Sequence, residues 1–385
     1  MATQPKADLA IATLAVNQKR LAYECGLVKW CSQASALARA LTASPQLQLR
    51  VEIVILTPPP DDDRAIGLHD CAKGTRRLTW DSELERKLIA YTNRDDIVSG
   101  LASQRHNAVL MQKLQFLSLV SSFAAILYAD WDVDVAPSLC HAVWAFEHAF
   151  RAFRDDSSTQ LLGSPDAAAP LNSGVLLFKP SREAHDRAIA WLRNGTDAIW
   201  DPTTGYDRIG RPSTVGLPRN CAPIPASVRG RSRRPPGGPS CSRFTKSRFV
   251  LHDKWEWGRG AGCEQGLLFY IFHARLRGYS MATLSNYSTR HYTASPKPWE
   301  WRGWGRALLE WHWLRDLPTS LSGGRANATR TRCARMLAER YLRVQQMRDK
   351  ALANVTSESE RYRYDRKVDP VSKARLRPFV KQGVF

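Results

Sequence analysis

The 385-residue chain has no C-x-x-C pair and no histidine cluster beside its cysteines, which excludes a zinc framework. Its eight cysteines (Cys25, Cys31, Cys71, Cys140, Cys221, Cys241, Cys263 and Cys333) are scattered, so they do not form a small disulfide scaffold either. Cys25, Cys31 and Cys140 stand in apolar runs, and the expected state of each is a buried free thiol. No apolar run reaches bilayer length: the most apolar, 114–129, holds Gln115 and three serines. The opening stretch MATQPKADLAIATLAVNQ lacks a basic segment followed by a long apolar core. The expected localisation is therefore cytoplasmic, with the Golgi lumen the alternative if an N-terminal anchor precedes this sequence. Four N-x-S/T sequons, at Asn194, Asn286, Asn327 and Asn354, are read as chance on the same ground.

Acidic residues are scarce in two places. Residues 211–250 carry nine bases, seven prolines, four glycines and no acid, whereas 321–385 carry 16 bases against six acids. Those two stretches hold 19 of the 20 net positive charges, so the rest is nearly neutral. Such a distribution argues against an enzyme whose whole folded surface tracks nucleic acid. The first stretch reads as a disordered loop, an insertion or translated intron sequence, and the second as a basic helical or disordered tail. The expected domain is 1–320, with 321–385 appended.

Between these absences the pattern is that of an α/β protein. Apolar strands are expected at 10–15 (AIATLA), 51–56 (VEIVIL), 125–129 (AILYA) and 175–178 (VLLF). Helices are expected at 21–41, 182–192, 265–277 and 307–314, with a helical face on Leu110, Leu114 and Leu117 within 109–120. A basic helix is expected around 332–350. Strands alternating with helices predict a mostly parallel, Rossmann-like sheet with flanking helices.

The densest chemical signal is Leu127-Tyr128-Ala129-Asp130-Trp131-Asp132-Val133-Asp134. An apolar strand runs directly into alternating acids, and ligand sites of open α/β sheets lie at the carboxyl ends of strands. Asp130 and Asp132 can turn toward one hard cation, manganese or magnesium, bridging them to a diphosphate. The simpler alternative is a solvated acidic turn. Further segments follow in a fixed order: Pro170-Leu171-Asn172-Ser173-Gly174-Val175 before a strand, Cys263-Glu264-Gln265-Gly266-Leu267-Leu268 opening a helix, then His291-Tyr292-Thr293-Ala294-Ser295-Pro296-Lys297-Pro298-Trp299. Upstream, Gln112-Lys113-Leu114 lies on the helix leading into the acidic strand. Lys113 is expected to point to the sheet edge or to solvent.

This ordered set resembles glycosyltransferase family 8, the glycogenin-like group, over roughly residues 9–316 apart from 211–250. The resemblance implies the GT-A nucleotide-diphospho-sugar fold and a manganese-dependent retaining hexosyl transfer from a UDP-sugar. It implies Asp130, Asp132 and His291 as manganese ligands, with magnesium the substitute. Lys297 would contact the nucleotide phosphates, and Lys113 the donor sugar. Asn172, Ser173, Gly174 and Asp166 would hold sugar hydroxyls, Asn17 the uridine, and Glu264 with Gln265 the reacting face of the donor.

Several residues depart from the family pattern. Glu264 stands for aspartate, Ala294 for the glycine of H-F-x-G, and Phe269 for the asparagine of D-Q-x-L-N. Arg20 occupies the place of a uracil-stacking tyrosine. These changes bear on the donor's identity and leave the metal–diphosphate set in place. Retention can follow from same-face attack, the favoured route, or from a covalent intermediate for which Glu264 is the candidate nucleophile.

The favoured acceptor is a separate glycan, lipid or protein. Self-glucosylation, as in glycogenin, would have to use Tyr279 or Tyr287 within the short segment 277–290. A second copy of the chain and an acidic partner for the basic tail are further candidate partners. The rival classes are a sugar-nucleotide fold that has lost catalysis and binds RNA or acidic lipid, and a pyrophosphorylase. The latter class uses a Gly-rich N-terminal loop, and 10–18 contains no glycine. If the tail is a polyanion-binding arm, deleting 321–385 will abolish RNA retention that weakens with added salt, measured by filter binding.

Overall fold

The computed structural model describes residues 6–16, 21–62, 74–92, 104–131, 133–135, 143, 146, 150–151, 153–163, 171–193, 200–201, 205–206, 264–281, 290–291 and 346. Strand β1 (Ala7–Leu14) leads to helix α1 (Leu21–Ala43) and strand β2 (Val51–Thr57). Strand β3 (Arg76–Thr79) precedes helices α2 (Ser82–Thr92) and α3 (Gln104–Met111), and α3 tightens into a 3-10 helix over Gln112–Ser118. Then come β4 (Phe123–Ala129), the short β5 (Val133–Asp134), β6 (Leu161–Gly163), β7 (Val175–Phe178) and helix α4 (Arg182–Arg193). After β8 (Trp200–Asp201) and β9 (Gly205–Tyr206), helix α5 starts as an α-turn at Gly266–Phe269 and widens into a π-helix over Tyr270–Arg275. Strands β10 (Tyr279–Met281) and β11 (Arg290–His291) complete the described elements.

Seven strands form one sheet in the order β10-β6-β7-β4-β1-β2-β3. The β1–β2, β1–β4, β2–β3 and β6–β10 ladders are parallel, and only β7 runs against its neighbours β4 and β6. This is the α/β, mostly parallel sheet that the strand–helix alternation predicts. The central strands read as near-continuous apolar runs because helices cover both faces. Along β4, Ile126 and Tyr128 face a core shared with α2, α3, α4 and α5 residues such as Leu88, Met111, Ala188 and Leu267. Ala125, Leu127 and Ala129 face the other core, made with Trp30, Ala34 and Leu37 of α1 and with Phe146, Phe150 and Phe153. Two-residue alternation thus gives β4 one face toward each helical layer.

Helix starts follow the caps written into the chain. Asp81 Oδ1 accepts the backbone N–H groups of Glu83 at 2.7 Å and Leu84 at 3.3 Å, and Ser181 Oγ accepts that of Ala184 at 3.1 Å. Each satisfies donors that the first helical turn leaves open. The strands β3, β6 and β10 and the helix α2 add to the elements read from patterning. Expected segments 211–250, 307–314 and most of 332–350 lie outside the described residues. The apolar run 114–129 divides into the end of a 3-10 helix and a buried strand, as expected. Among the described residues no helix is long and apolar enough to cross a membrane.

The cysteines require a correction. Cys25 and Cys31 are buried as expected, yet both are disulfide-bonded rather than free. An apolar setting suits a cystine as well as a thiol, so patterning does not separate the two states. Cys140 lies outside the described residues.

At the opposite end of the sheet from the acidic motif, Asp8 ties β1 to β2. Its Oδ2 accepts the Arg50 backbone N–H at 2.8 Å, and the Arg50 guanidinium reaches Oδ1 at 3.1 Å. The guanidinium hydrogen bond holds the Asp8 carboxyl below the usual carboxylate range against the opposing effect of partial burial. A carboxylate whose folded pKa is depressed contributes stability above the unfolded value of about 3.9, lost as pH falls through the folded one. With the Arg50 side chain exposed, solvent screening keeps this contribution small. The expected outcome is that Asp8→Asn is slightly less stable than the parent at pH 7, and that the difference closes as pH falls below about 4 in urea titrations.

Candidate functional site

Strand β4 ends where the acidic motif begins. The Asp130 N–H donates to the Gly174 carbonyl at 2.9 Å, extending the β4–β7 ladder by one step, and the Asp130 carbonyl accepts the Val133 N–H at 2.9 Å, which turns the chain. Asp130 stands two residues beyond Tyr128 and emerges on the same face. The 3-10 helix packs on that face, with Phe116 and Tyr128 rings 5.7 Å apart. Lys113 from that helix consequently reaches the end of β4.

The Lys113 side chain is 3% exposed. Its Nζ lies 3.1 Å from Asp130 Oδ1, 3.3 Å from Asp130 Oδ2, 3.2 Å from Ser173 Oγ and 3.6 Å from Glu264 Oε1. It also stands over the Tyr128 ring, 4.9 Å from the centroid. Ser173 Oγ donates to Glu264 Oε1 at 2.7 Å. The Tyr128 hydroxyl donates to Asp130 Oδ1. A buried ammonium is tolerable only with charged or polar partners on several sides, and here it has two carboxylates, a hydroxyl and an aromatic face. Lys113 therefore points neither to a solvent-exposed edge nor to bulk water: it is buried at the sheet's end, where Asp130, Ser173 and Glu264 surround its ammonium.

The loop entering β7 supplies the far wall. Asn172 Oδ1 accepts the Gly174 N–H at 2.8 Å, so this asparagine shapes the turn that presents Ser173. Glu264, 2% exposed, comes from the start of α5. It carries one methylene more than aspartate, and at this length its carboxylate lies within hydrogen-bond range of Ser173. Next to it, Gln265 Oε1 is buried and has no hydrogen-bond partner among the described residues. That orphaned acceptor fits a ligand bearing hydroxyl donors.

A second ladder brings in the last motif. Strand β11 runs antiparallel to β5, pairing His291 with Val133 and Arg290 with Asp134. The His291 backbone, 161 positions after Asp130 in sequence, is thereby placed beside the residue that follows Asp132 in the chain. Of the residues singled out by sequence, the structure brings together Lys113, Asp130, Ser173 and Glu264, with Asn172, Gly174 and Gln265 adjoining them. Asn17, Asp132, Asp166 and Lys297 lie outside the described residues, as does the His291 side chain. Among the described residues no three metal-ligating side chains converge. Sequence reasoning missed Tyr128, although its place two residues before Asp130 on an alternating strand is the signal that puts both on one face.

No protein-family model matches the chain, and no curated protein matches it in sequence. Among solved structures it is similar to a complex of the galactosyltransferase LgtC with donor and acceptor sugar analogs, at 12% identity and a TM-score of 0.38 over 82% of this chain and 97% of that one. An active-site mutant of LgtC gives 13% identity and a TM-score of 0.37 over the same shares. Mouse xyloside xylosyltransferase 1 without ligand gives 10% and 0.32 over 48% of this chain and 74% of that one. At such scores the likeness carries no argument about chemistry, which rests on the side chains themselves.

Removing one partner from a buried charged group strands the others. Lys113→Met keeps the unbranched stem, one atom shorter, and removes the charge, leaving Asp130 and Glu264 without their shared cation. The expected cost in urea unfolding is about 3–5 kcal/mol, recovered in part when Glu264→Gln is added.

Proposed function

We propose that this chain is a manganese-dependent retaining glycosyltransferase of the glycogenin-like family 8 kind, moving a hexose from a UDP-sugar to a hydroxyl on a separate glycan, lipid or protein. The observation that carries this reading is the meeting of four distant sequence motifs at one end of the sheet. Lys113, Asp130, Ser173 and Glu264 touch one another there, and the His291 backbone is laddered onto the strand that follows Asp132. A solvated acidic turn would need none of these partners.

The donor set fits the ion. Asp130 is the partly exposed member of the cluster, its side chain 23% accessible, so one face of its carboxylate looks outward. With Asp132 and His291 it would give two carboxylates and an imidazole, a set suited to manganese, with magnesium a weaker match to the nitrogen ligand. The bound ion would supply Lewis-acid stabilisation of the leaving diphosphate.

The remaining work falls to the chain's own side chains. Lys113 holds Asp130 and Glu264 in fixed positions and offsets their charge beside the donor. Ser173 fixes Glu264, and the Gln265 carbonyl offers an acceptor to a sugar hydroxyl. Lys297 would meet the phosphates, Asn17 the uridine and Asp166 a further hydroxyl. The Glu264 carboxylate is already engaged by the Lys113 ammonium and the Ser173 hydroxyl, which leaves it less available as a nucleophile. That favours same-face attack, with the departing phosphate taking the acceptor's proton, over a covalent intermediate on Glu264.

The test is calorimetric titration of UDP into the purified chain with manganese, then with EDTA. Binding is expected only with manganese, and Asp132→Asn is expected to lose both this binding and hexosyl transfer. Equal UDP affinity in EDTA, or wild-type turnover by Asp132→Asn, would overturn the assignment.

A further inference from the structure

We infer that this chain matures in an oxidising compartment, where Cys25 and Cys31 are closed into two separate disulfides that anchor helix α1. Both cysteines are buried, at 0% and 2% exposure, and both are disulfide-bonded. They cannot be bonded to each other. Both lie within α1, six residues apart, and six residues of α-helix rise about 9 Å. A disulfide needs Cα atoms within about 7 Å. The two therefore belong to different disulfides, and the helix is cross-linked at two positions.

The position of the ties matters. Cys31 packs in the same core as Ile11 of β1 and Leu127 of β4, the strand that ends at Asp130. Cys31 thus sits in the layer that packs α1 on those strands. Structural disulfides form and accumulate in oxidising compartments and are rare where glutathione and thioredoxin keep thiols reduced. Forming each one removes two protons and two electrons from a pair of thiols, delivered to a disulfide-carrying protein oxidant that is itself reduced to a dithiol. Compartments equipped with such oxidants also expose N-x-S/T asparagines to glycan transfer in eukaryotic cells, which changes the weight of the four sequons. This inference stands apart from the proposed transferase activity, since the cross-links are independent of the manganese site.

The experiment uses the full chain from the cells that make it, denatured in N-ethylmaleimide before any reductant is added. Peptide mass spectrometry is expected to find Cys25 and Cys31 unlabelled, and fully labelled when reduction precedes alkylation. Label on either cysteine without reduction would overturn the proposal, as would recovery of the chain with cytosolic markers on fractionation. A second measurement covers the anchoring role. Dithiothreitol is expected to lower the melting temperature by roughly 5 °C or more, and an unchanged melting temperature would overturn it.

Discussion

The ammonium of Lys113 is the group on which the geometry at the end of the sheet depends. Asp130 and Glu264 come from segments more than 130 residues apart and would repel each other in a water-poor pocket. With Lys113 between them, reached also by Ser173 and backed by the Tyr128 ring, the charges become mutually supporting. The arrangement has several members with nearly all partners supplied from inside the protein, the condition under which buried polar networks specify a structure. Its rigidity is useful for binding, because groups already held in place need not be ordered when a ligand arrives.

The sheet explains how such distant residues meet. Parallel strands place all their carboxyl ends on one side, where β4 delivers Asp130. The 3-10 helix before β4 and the helix α5 lie on the same face of the sheet, so Lys113 and Glu264 approach from one layer. The opposite layer, built on α1, contributes packing through Trp30, Ala34 and Leu37. Support and chemistry are thus divided between the two faces.

Much of this was legible in the sequence. The strands β1, β2, β4 and β7 stand out as apolar runs because both of their faces are covered, and α1 and α4 carry clear helical patterning. The short strands β3 (RRLT) and β10 (YSM) are half polar, and their placement depends on neighbours rather than on their own composition. Helix α2 does carry a signal, Leu84, Leu88 and Tyr91 at helical spacing behind the Asp81 cap, which strand-centred reading passed over. At the site, the acids and the N-S-G turn were visible as motifs. The burial of Lys113 was not, since it depends on partners from segments distant in sequence, and neither was the oxidation state of Cys25 and Cys31, which composition does not encode.

The reversed direction of β7 has a consequence for how this site can diversify. A strand that runs against its neighbours begins where they finish, so the loop entering β7 arrives at the same rim as the end of β4. Asn172, Ser173 and Gly174 are therefore supplied by a connection rather than by the sheet, and the 11 positions between β6 and β7 can vary in length while the ladder of Ala129 with Val175 is kept. Selectivity at this rim can drift by loop exchange, with the framework beneath it left unchanged.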